Sequence, residues 1–537
     1  VSVLIWQPGG ITMRVNGKPE ASLGLPDRLP QTYLGLVPLL YVQNPKRIGV
    51  IGLGSGLTLK AAASAPSVES AECAELEPYV IEAERYFAPY NDHVAQDPRM
   101  KLRYADGRTM VMGDPGKFDS IVSVPSNPWV AGIGNLYTQD FYKSARSKLN
   151  PGGVFMQWVN LYALSPKDLQ TVLQTFGSVF PEAQLWALGG DLALVGGATG
   201  QVNLAGLQRY YEASPYLRNE LMDLGLKRPE QLIGNYACPL KFAIQNEAKV
   251  PLNTDDNPCL EYSAPLSLYN LESFSANVAW VASARQRYNR LPDGIEPTPE
   301  VELEAALGSL AFTAFGRPRV LTPAPPGWVE LVHIFGQDYP PAEERRQWLQ
   351  QFGSWKEGRI WLAQYYRKRG EMNEALECLP QEIEKLSDPA ERVYWLNLRA
   401  TARLSKQDWQ GAYEDFSAAY LIRPFCDFSS AQAYCLAKLK RWKEAESMVA
   451  RALQDNPYDV RSFLVEALIA EHQGRDDDAL KSLARVCREC PFIQEAWLRR
   501  AEILARRGDR AGTRKVIEDY LVFYPEDKQL RNMLQQL

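Results

Sequence analysis

Three glycines in alternate positions form the part of this sequence best suited to binding a small molecule. They stand between the apolar run 47–51, which predicts a buried strand, and residues 57–65, which predict a helix. Glycine lets the backbone turn tightly and approach a ligand closely, because it has no side chain in the way. The predicted ligand-contacting residues of this loop are Gly52, Gly54, Ser55 and Gly56.

Acidic residues lie at the ends of the next two predicted strands, 68–76 and 100–104. Glu75 ends the first of these strands, where a carboxylate can accept hydrogen bonds from both hydroxyls of a ribose. Asp106 follows the second of these strands and can accept a hydrogen bond from the amino group of adenine. Because α/β sheets bind ligands at the carboxyl ends of their strands, these residues predict a nucleoside site.

The predicted strands alternate with predicted helices along this part of the chain, and this framework would position the ligand-contacting residues. Such alternation implies a mainly parallel sheet that is covered by helices on both faces. Residues 1–25 precede it as a small antiparallel β region, because Asn16-Gly17 between apolar runs is a strong hairpin signal. The further predicted strands are 118–124 and 153–159, and the further predicted helices are 79–87, 137–149 and 166–176.

The C-terminal third of the chain is built from a repeating pattern. Pro424, Pro457, Pro491 and Pro525 recur at intervals of 33, 34 and 34. This period, with small residues where helices would cross, resembles the tetratricopeptide repeat (TPR), in which stacked helix pairs share a core. We predict about five repeats, a capping helix after them, and a groove that binds a peptide or protein.

These patterns divide the chain into four predicted segments. Residues 1–45 are the β lead-in and first helix, and residues 46–265 form the α/β domain. Residues 266–355 are a helical and proline-rich connector, and residues 356–537 form the all-α TPR array.

Composition excludes several kinds of partner. The net charge of −5 and the lack of a basic stripe argue against nucleic acid. Eight cysteines without a disulfide framework, and three scattered histidines, indicate a reducing compartment and no metal site, so the protein is expected to be cytoplasmic. No apolar run has the 18 or so residues of a membrane-spanning helix, and the chain begins with a strand-like run instead of a signal peptide.

The α/β segment, together with the β region before it, resembles the spermidine synthase (polyamine aminopropyltransferase) family. The resemblance extends from the first residue to about position 265. It rests on the runs 47–56, 74–77, 106–107, 118–128, 135–142 and 149–158, and on the closing motif 253–262. It implies a Rossmann-like fold of the class I methyltransferase and spermidine synthase type. The closing motif is similar to that of a bacterial subgroup in which the domain often follows transmembrane helices. The resemblance to that subgroup implies a second possible location for this protein, the cytoplasmic face of a membrane, to which a segment that is not in this chain would attach it.

The resemblance assigns roles to individual residues. Glu75 would hold the ribose and Asp106, next to Gly107, the adenine of decarboxylated S-adenosylmethionine, S-adenosylmethionine or methylthioadenosine. The nucleoside would be a co-substrate with a polyamine, with no tightly bound cofactor. Family members carry an aspartate in the glycine loop, where this chain has Ser55, and two aspartates after the fourth strand, where it has Val124 and Asn127. The acceptor-side tyrosine of the family aligns with Pro30.

These replacements leave the activity open. An amine must lose a proton to attack the carbon beside sulfur, and valine cannot take that proton, whereas asparagine can only form hydrogen bonds, so Asn127 is at most an orienting catalytic residue. General-base catalysis contributes about 10²–10⁴-fold in rate, so ordinary aminopropyl transfer is expected to be impaired. The acids that could supply a replacement from elsewhere are Asp27, Asp191, Asp255 and Asp256.

Two alternatives to aminopropyl transfer follow from the same positions. A neutral Ser55 suits a donor that keeps its carboxylate, and the run from Ser126 through Asn127 to Trp129 is similar to a motif of N-methyltransferases that use S-adenosylmethionine. The other alternative is an inactive nucleoside-binding scaffold or sensor that acts through the repeats. The predicted substrate-binding residues are Asn127, Trp129, Asp255 and Asp256.

Overall fold

The computed structural model describes residues 1–7, 10–199, 201–268, 270–309 and 371–536, together with the pairs 359–360, 362–363 and 366–367. The chain divides into two compact units. One is Leu25–Arg369, called here the sheet unit. The other combines Val1–Gly24 with Gly370–Leu537 and is called the repeat unit. The boundary between the units falls inside the segment 1–45 that was delimited from the sequence.

Eleven strands occur in the described residues, and they form two sheets. The strands are β1 (Ser2–Gln7), β2 (Gly10–Val15), β3 (Lys18–Ser22), β4 (Arg47–Ile51), β5 (Ser70–Glu75), β6 (Met100–Tyr104), β7 (Phe118–Ser123), β8 (Leu149–Asn160), β9 (Gln184–Leu188), β10 (Asp191–Gly196) and β11 (Tyr236–Pro239). The first three form an antiparallel sheet in the repeat unit, and the other eight form the sheet of the sheet unit.

The sheet of the sheet unit has the order β11-β9-β10-β8-β7-β4-β5-β6. The five strands from β6 to β8 run parallel, as predicted, with β4 at the centre. The next two strands in the chain add to one side of β4 and the two after them to the other side, so the sheet has a topological switch point between β4 and β7. The predicted Rossmann-like fold is therefore confirmed.

An antiparallel extension makes this sheet mixed. Strand β10 pairs antiparallel with both β8 and β9, and β11 pairs antiparallel with β9. Strands β9 and β10 are joined only by Gly189 and Gly190, a Gly-Gly pair between apolar runs that is typical of two-residue hairpins. The sequence therefore contained a signal for this hairpin, which the predicted strands omitted.

Twelve helices are described in the sheet unit. They are α1 (Leu25–Leu36), α2 (Leu57–Ala62), α3 (Pro78–Ala83), α4 (Gly107–Gly113), α5 (Gln139–Ser147), α6 (Pro166–Val179), α7 (Leu204–Ala213), α8 (Pro215–Asp223), α9 (Leu240–Ile244), α10 (Cys259–Ser263), α11 (Leu271–Tyr288) and α12 (Pro299–Ser309). Helix α1 crosses α2 closely at Gly35. A β-carbon added there would lie only 2.6 Å from the β-carbon of Ala61, so the crossing requires glycine. This crossing brings α1 against α2, which follows the glycine loop.

Residues 371–536 of the repeat unit are helical, and most of the helices form antiparallel pairs. The helices are Met372–Glu377, Pro389–Ser405, Trp409–Ile422, Cys426–Lys438, Trp442–Asp455, Val460–His472, Asp476–Glu489, Gln494–Arg506, Arg510–Phe523 and Lys528–Gln536. Three successive pairs begin at Cys426, Val460 and Gln494, an equal spacing that matches the predicted period. Ala412, Ala445 and Ala479 are fully buried, as expected where paired helices cross. The arrangement is consistent with a TPR-like solenoid, and some residues of the first predicted repeat lie outside the described part of the chain.

The N-terminal sheet belongs to the repeat unit. The ring of Trp6 in β1 stacks on that of Phe492, with centroids 4.8 Å apart and planes at 22°. Phe492 in turn contacts Phe523 edge-on, at 5.8 Å between centroids. Residues from the two extremes of the described chain therefore share one apolar contact region.

Among the described residues, no helix combines the length and the apolar character needed to cross a lipid bilayer.

Candidate functional site

The glycine loop leaves the carboxyl end of β4 with a backbone that requires glycine. Gly52, Gly54 and Gly56 have φ values of +89°, +52° and +76°. A β-carbon on Gly52 would lie 2.2 Å from the carbonyl oxygen of Val124, which follows β7. Only glycine allows the loop to turn this close to the end of the neighbouring strand.

Glu75 ends β5 and is tied to the glycine loop. Its Oε2 accepts a hydrogen bond from the amide of Leu53 at 2.9 Å, and its Oε1 accepts one from the amide of Glu77 at 3.0 Å. Burial raises the pKa of Glu75, and these amide contacts act in the opposite direction. The backbone amides of Leu76 and Gly54 also stabilise its charged form, so backbone donors fix this carboxylate at the end of β5.

Asp106 lies at the adjacent strand end and caps helix α4. Its Oδ1 accepts hydrogen bonds from the amide of Thr109 at 2.7 Å and from the hydroxyl of Thr109 at 2.8 Å. The residue is exposed, so its carboxylate is accessible to a ligand. Gly107 is buried against β4, and a β-carbon there would lie 2.3 Å from Cγ2 of Ile51. Gly107 therefore sets the close packing of α4 on the sheet.

The structure thus brings together the loop after β4, Glu75 after β5 and Asp106 after β6 at one edge of the sheet. This is the edge on which open α/β sheets bind ligands, beside the switch point. The geometry places two carboxylates, suited to accept from hydroxyl and amino groups, next to a loop that contains three glycines.

Ser55 lies in the same loop, but its side chain is turned toward α1. It is fully buried, and its hydroxyl donates a hydrogen bond to Oε1 of Gln31. Its carbonyl oxygen accepts a hydrogen bond from the Asn91 side-chain amide at 2.9 Å. Ser55 therefore fixes the loop to its neighbours. Gln31 and Asn91 were not identified from the sequence, because nothing in their local pattern reveals these long-range contacts.

The residues after β7 form the other side of the site. Asn127 is fully buried, and its Nδ2 donates a hydrogen bond to the hydroxyl of Tyr162 at 3.3 Å. Trp129 contacts the ring of Tyr162 edge-on, with centroids 5.9 Å apart. Two of the predicted substrate-binding residues, Asn127 and Trp129, therefore meet at one tyrosine that the sequence did not single out.

The two other predicted substrate-binding residues are placed differently. Asp255 forms a two-pronged ion pair with Arg108 of α4, in which Nη1 lies 2.9 Å from Oδ1 and Nη2 contacts Oδ2. The hydrogen bond from Arg108 lowers the pKa of Asp255. Asp255 thus pairs with a residue of the helix that Asp106 caps, and its charge is compensated. Asp256 is exposed.

Asp191 begins β10 and lies opposite Asn160, the last residue of β8. Its Oδ1 is buried and has no hydrogen-bond partner within the described residues. Burial raises the pKa of Asp191 to about 7, and the nearby charge of Asp27 in α1 acts in the same direction, whereas a hydrogen bond with Trp158 opposes them. Asp191 and Asp27 therefore lie near each other, although the sequence could not place either of them.

Comparison with known proteins finds a family match within the sheet unit. Residues 29–188 match the model of the spermine/spermidine synthase domain. A polyamine aminopropyltransferase of Nitrosomonas europaea is 31% identical over 199 residues, which is 35% of this chain and 60% of that protein. Putrescine N-methyltransferase 1 of Nicotiana tabacum is 33% identical over 119 residues, 22% of this chain and 32% of that protein. This chain therefore spans less than two thirds of each of these relatives.

A crystal structure of spermidine synthase from Thermotoga maritima aligns at 23% identity with a TM-score of 0.30, over 35% of this chain and 64% of that one. The family-model match lies within the sheet unit and includes the glycine loop, Glu75 and Asp106. Residues 29–188 thus form a spermidine synthase-like domain.

Proposed function

We propose that the spermidine synthase-like domain of this chain binds a sulfonium nucleoside or its thioether product. The observation that carries the proposal is Glu75, whose carboxylate is held at the end of β5 by the amides of Leu53 and Glu77. A carboxylate fixed beside a glycine loop suits the paired hydroxyls of a ribose. Asp106 would then accept a hydrogen bond from the adenine amino group. The ligands that fit are decarboxylated S-adenosylmethionine, S-adenosylmethionine and methylthioadenosine.

The reaction that this site supports best is alkyl transfer from the sulfonium centre to an amine, as in aminopropyl transfer to a polyamine. The support is the match of residues 29–188 to a spermine/spermidine synthase domain, together with the polar contact between Asn127 and Tyr162. Isothermal titration of the full chain with methylthioadenosine tests binding. Incubation with putrescine and decarboxylated S-adenosylmethionine tests transfer. Binding without any spermidine formed would exclude aminopropyl transfer to putrescine.

A methyl donor is the second candidate, and the observation that favours it is Ser55. The position that carries an acid in aminopropyltransferases is neutral here, and the Ser55 hydroxyl is already bonded to Gln31. Decarboxylated S-adenosylmethionine has a tail with an ammonium and no carboxylate, and it would find no negative charge at this position. Competition between the two donors for the same site separates the candidates. Tighter binding of S-adenosylmethionine, with methylated putrescine as product, would establish the methyltransferase.

Replacing Glu75 by glutamine is expected to weaken methylthioadenosine binding by about 1–3 kcal/mol, because charge-assisted hydrogen bonds to the ribose are lost. Calorimetric titration of the full chain measures this change. Glu69→Gln is the matched control, since Glu69 is exposed and pairs with the exposed Lys46 in the same unit. Equal affinities of the Glu75 variant and the parent protein would show that the ribose does not contact this carboxylate.

We also propose that the repeat unit holds a peptide or protein. Polar contacts join the first helices of two different pairs: Glu495 contacts the Tyr434 hydroxyl at 2.8 Å and the Lys438 ammonium at 2.7 Å. A photo-crosslinking residue in place of Tyr434 in the full chain tests the proposal. The control position is Leu421 on a second helix, which is 84% exposed. Crosslinks that are equal at both positions, or absent at both, would contradict a groove-bound partner.

A further inference from the structure

Several buried side-chain oxygens of the sheet unit have no hydrogen-bond partner within the described residues, and three of these belong to residues at one edge of the sheet. They are Oδ1 of Asp191, Oδ1 of Asn160 and Oδ1 of Asn127, and they are called here the acceptor triad. Asn160 and Asn127 are fully buried. Buried polar atoms are nearly always paired, because an unpaired one costs roughly 1–3 kcal/mol. Three such atoms gathered at the edge where α/β sheets bind ligands therefore point to a site that a ligand completes.

The secondary structure holds the acceptor triad in one place. Asp191 and Asn160 are directly opposite each other in the antiparallel pair of β10 and β8, so their side chains are on the same face. The carbonyl oxygen of Tyr162 accepts a hydrogen bond from Nδ2 of Asn160 at 2.5 Å. The hydroxyl of the same tyrosine accepts one from Nδ2 of Asn127 at 3.3 Å. Tyr162 thus links the ends of β7 and β8 around the triad.

Helix α1 connects the acceptor triad to the glycine loop. The charge of Asp27, in the first turn of α1, acts on Asp191. One turn later, Gln31 donates to the carbonyl oxygen of Asp27 at 2.9 Å and accepts a hydrogen bond from Ser55 of the loop. The triad therefore lies at the same edge of the sheet as the proposed nucleoside site, on the side away from Glu75 and Asp106 in the strand order.

The chemistry of the triad selects one class of ligand. Its atoms are acceptors, and one of them belongs to a carboxylate. An amine or ammonium group carries several N–H donors, and an ammonium also carries a positive charge. A phosphate or a carboxylate brings further acceptors and negative charge, so it would be repelled. Trp158, which forms a hydrogen bond with Asp191, provides an indole next to the carboxylate.

We propose that Asp191 binds the nucleophilic nitrogen of an amine acceptor and takes its proton, in place of the aspartates that Val124 and Asn127 have replaced. This inference rests on the proposed binding of a sulfonium nucleoside. In the transfer step, the nitrogen lone pair attacks the carbon attached to sulfur. The carbon–sulfur bond breaks, and its electron pair stays on sulfur as a neutral thioether. The proton of the nitrogen passes to the Asp191 carboxylate and leaves toward the exposed Asp27.

The protonation of Asp191 suits this role. Burial raises its pKa to about 7, and Asp27 from α1 contributes in the same direction. Tyr137, on the segment before α5, is another titratable group whose charge couples to Asp191, and burial holds the pKa of Tyr137 far above the neutral range. A base is most effective when its pKa lies near the working pH. Activity is therefore expected to rise with pH through about 7 as Asp191 ionises.

The raised pKa of Asp191 also predicts that the stability of the fold decreases as the pH rises, whereas the activity increases. A carboxyl whose pKa is higher in the folded than in the unfolded protein does not affect stability while it is protonated in both states. It destabilises the folded state as the pH rises between the two pKa values. The folded state is therefore destabilised by Asp191 as the pH rises from about 4 to about 7. A neutral Asp191→Asn variant is expected to have a higher Tm than the parent at pH 8 and a similar Tm at pH 4. A residue with a purely structural role would lower the Tm when replaced.

The test compares full-length Asp191→Asn with Asp293→Asn, which makes the same substitution at an exposed position of the same unit. Methylthioadenosine affinity is expected to be unchanged in both variants. Putrescine binding to the nucleoside-loaded protein is expected to fall at least tenfold in Asp191→Asn only. Amine-dependent release of the thioether from the sulfonium donor is expected to fall about 10²–10⁴-fold and to lose its rise near pH 7.

The outcomes separate this inference from the function on which it rests. A parent protein that does not bind methylthioadenosine would contradict the proposed function. A parent protein that binds methylthioadenosine but not putrescine would contradict the role of Asp191 alone. Putrescine binding or turnover that survives in Asp191→Asn would also overturn it, and a lower Tm of that variant at pH 8 would show a structural role instead.

Discussion

Gly52→Ala is expected to abolish methylthioadenosine binding and to lower the stability of the sheet unit. Gly52 has a φ of +89°, where a residue with a side chain is strained by about 1–3 kcal/mol. The new β-carbon would also lie 2.2 Å from the carbonyl oxygen of Val124. Because that obstacle is backbone, relief requires the glycine loop to move away from β7. Such a movement disturbs the position of Glu75, which is bonded to Leu53 in the same loop.

Calorimetric titration and thermal unfolding of the full chain measure the two effects. Gly113→Ala is the matched control, since Gly113 ends α4 and a β-carbon there meets nothing within 4 Å. The control is expected to bind like the parent protein. If Gly52→Ala bound methylthioadenosine with unchanged affinity, the loop geometry would have no part in ligand recognition.

Arg28→Met is expected to destabilise the sheet unit by about 3–5 kcal/mol, because it leaves a buried carboxylate without its partner. Nε of Arg28 lies 3.0 Å from Oε1 of Glu220, and Nη2 lies 2.5 Å from Oε2. The Glu220 side chain is only 1% exposed. Thr32 donates a further hydrogen bond to Glu220 at 3.0 Å, but a hydroxyl cannot replace the lost positive charge.

Denaturant-induced unfolding measures this loss. The double variant Arg28→Met with Glu220→Gln is expected to recover part of it, since the buried charge is then removed as well. Lys46→Met, which breaks the exposed pair with Glu69, is expected to unfold like the parent protein. If Arg28→Met alone were as stable as the parent protein, Glu220 would have to bind water or another partner when Arg28 is absent.

The nucleoside side of the site could be predicted from the sequence because parallel strands end at a common edge. The positions of Glu75 and Asp106 follow from local spacing and strand order alone. The side-chain direction of Ser55 could not be predicted, because it depends on Gln31 in a helix that precedes β4. Long-range packing of this kind is decided by the fold as a whole.

The acceptor side was harder to predict for a related reason. Asp191 faces Asn160 because β10 runs back along β8, in a register that places the hairpin glycines Gly189 and Gly190 beside the end of β8. Without that hairpin in the predicted strands, Asp191 could be named as a possible acid but could not be placed. A shift of one residue in the pairing would move its side chain to the other face of the sheet.

The repeat period was visible because each helix pair repeats the same packing, as the burial of Ala445 and Ala479 shows. The association of the N-terminal sheet with these helices was not visible. Trp6 and Phe492 are too far apart in the chain for any local pattern to connect them.

That association has a consequence for the order of events on the ribosome. Val1–Gly24 is synthesised before the sheet unit, and the helices that adjoin Phe492 are made only after it. Domains tend to fold in the order in which they emerge, so the sheet unit can be complete while Trp6 still lacks its stacking partner. Contacts between distant parts of a chain also form slowly, because a long loop must be closed. The repeat unit is therefore expected to mature after the sheet unit, and its strands β1–β3 lack their helical partners until the helices around Phe492 have been made.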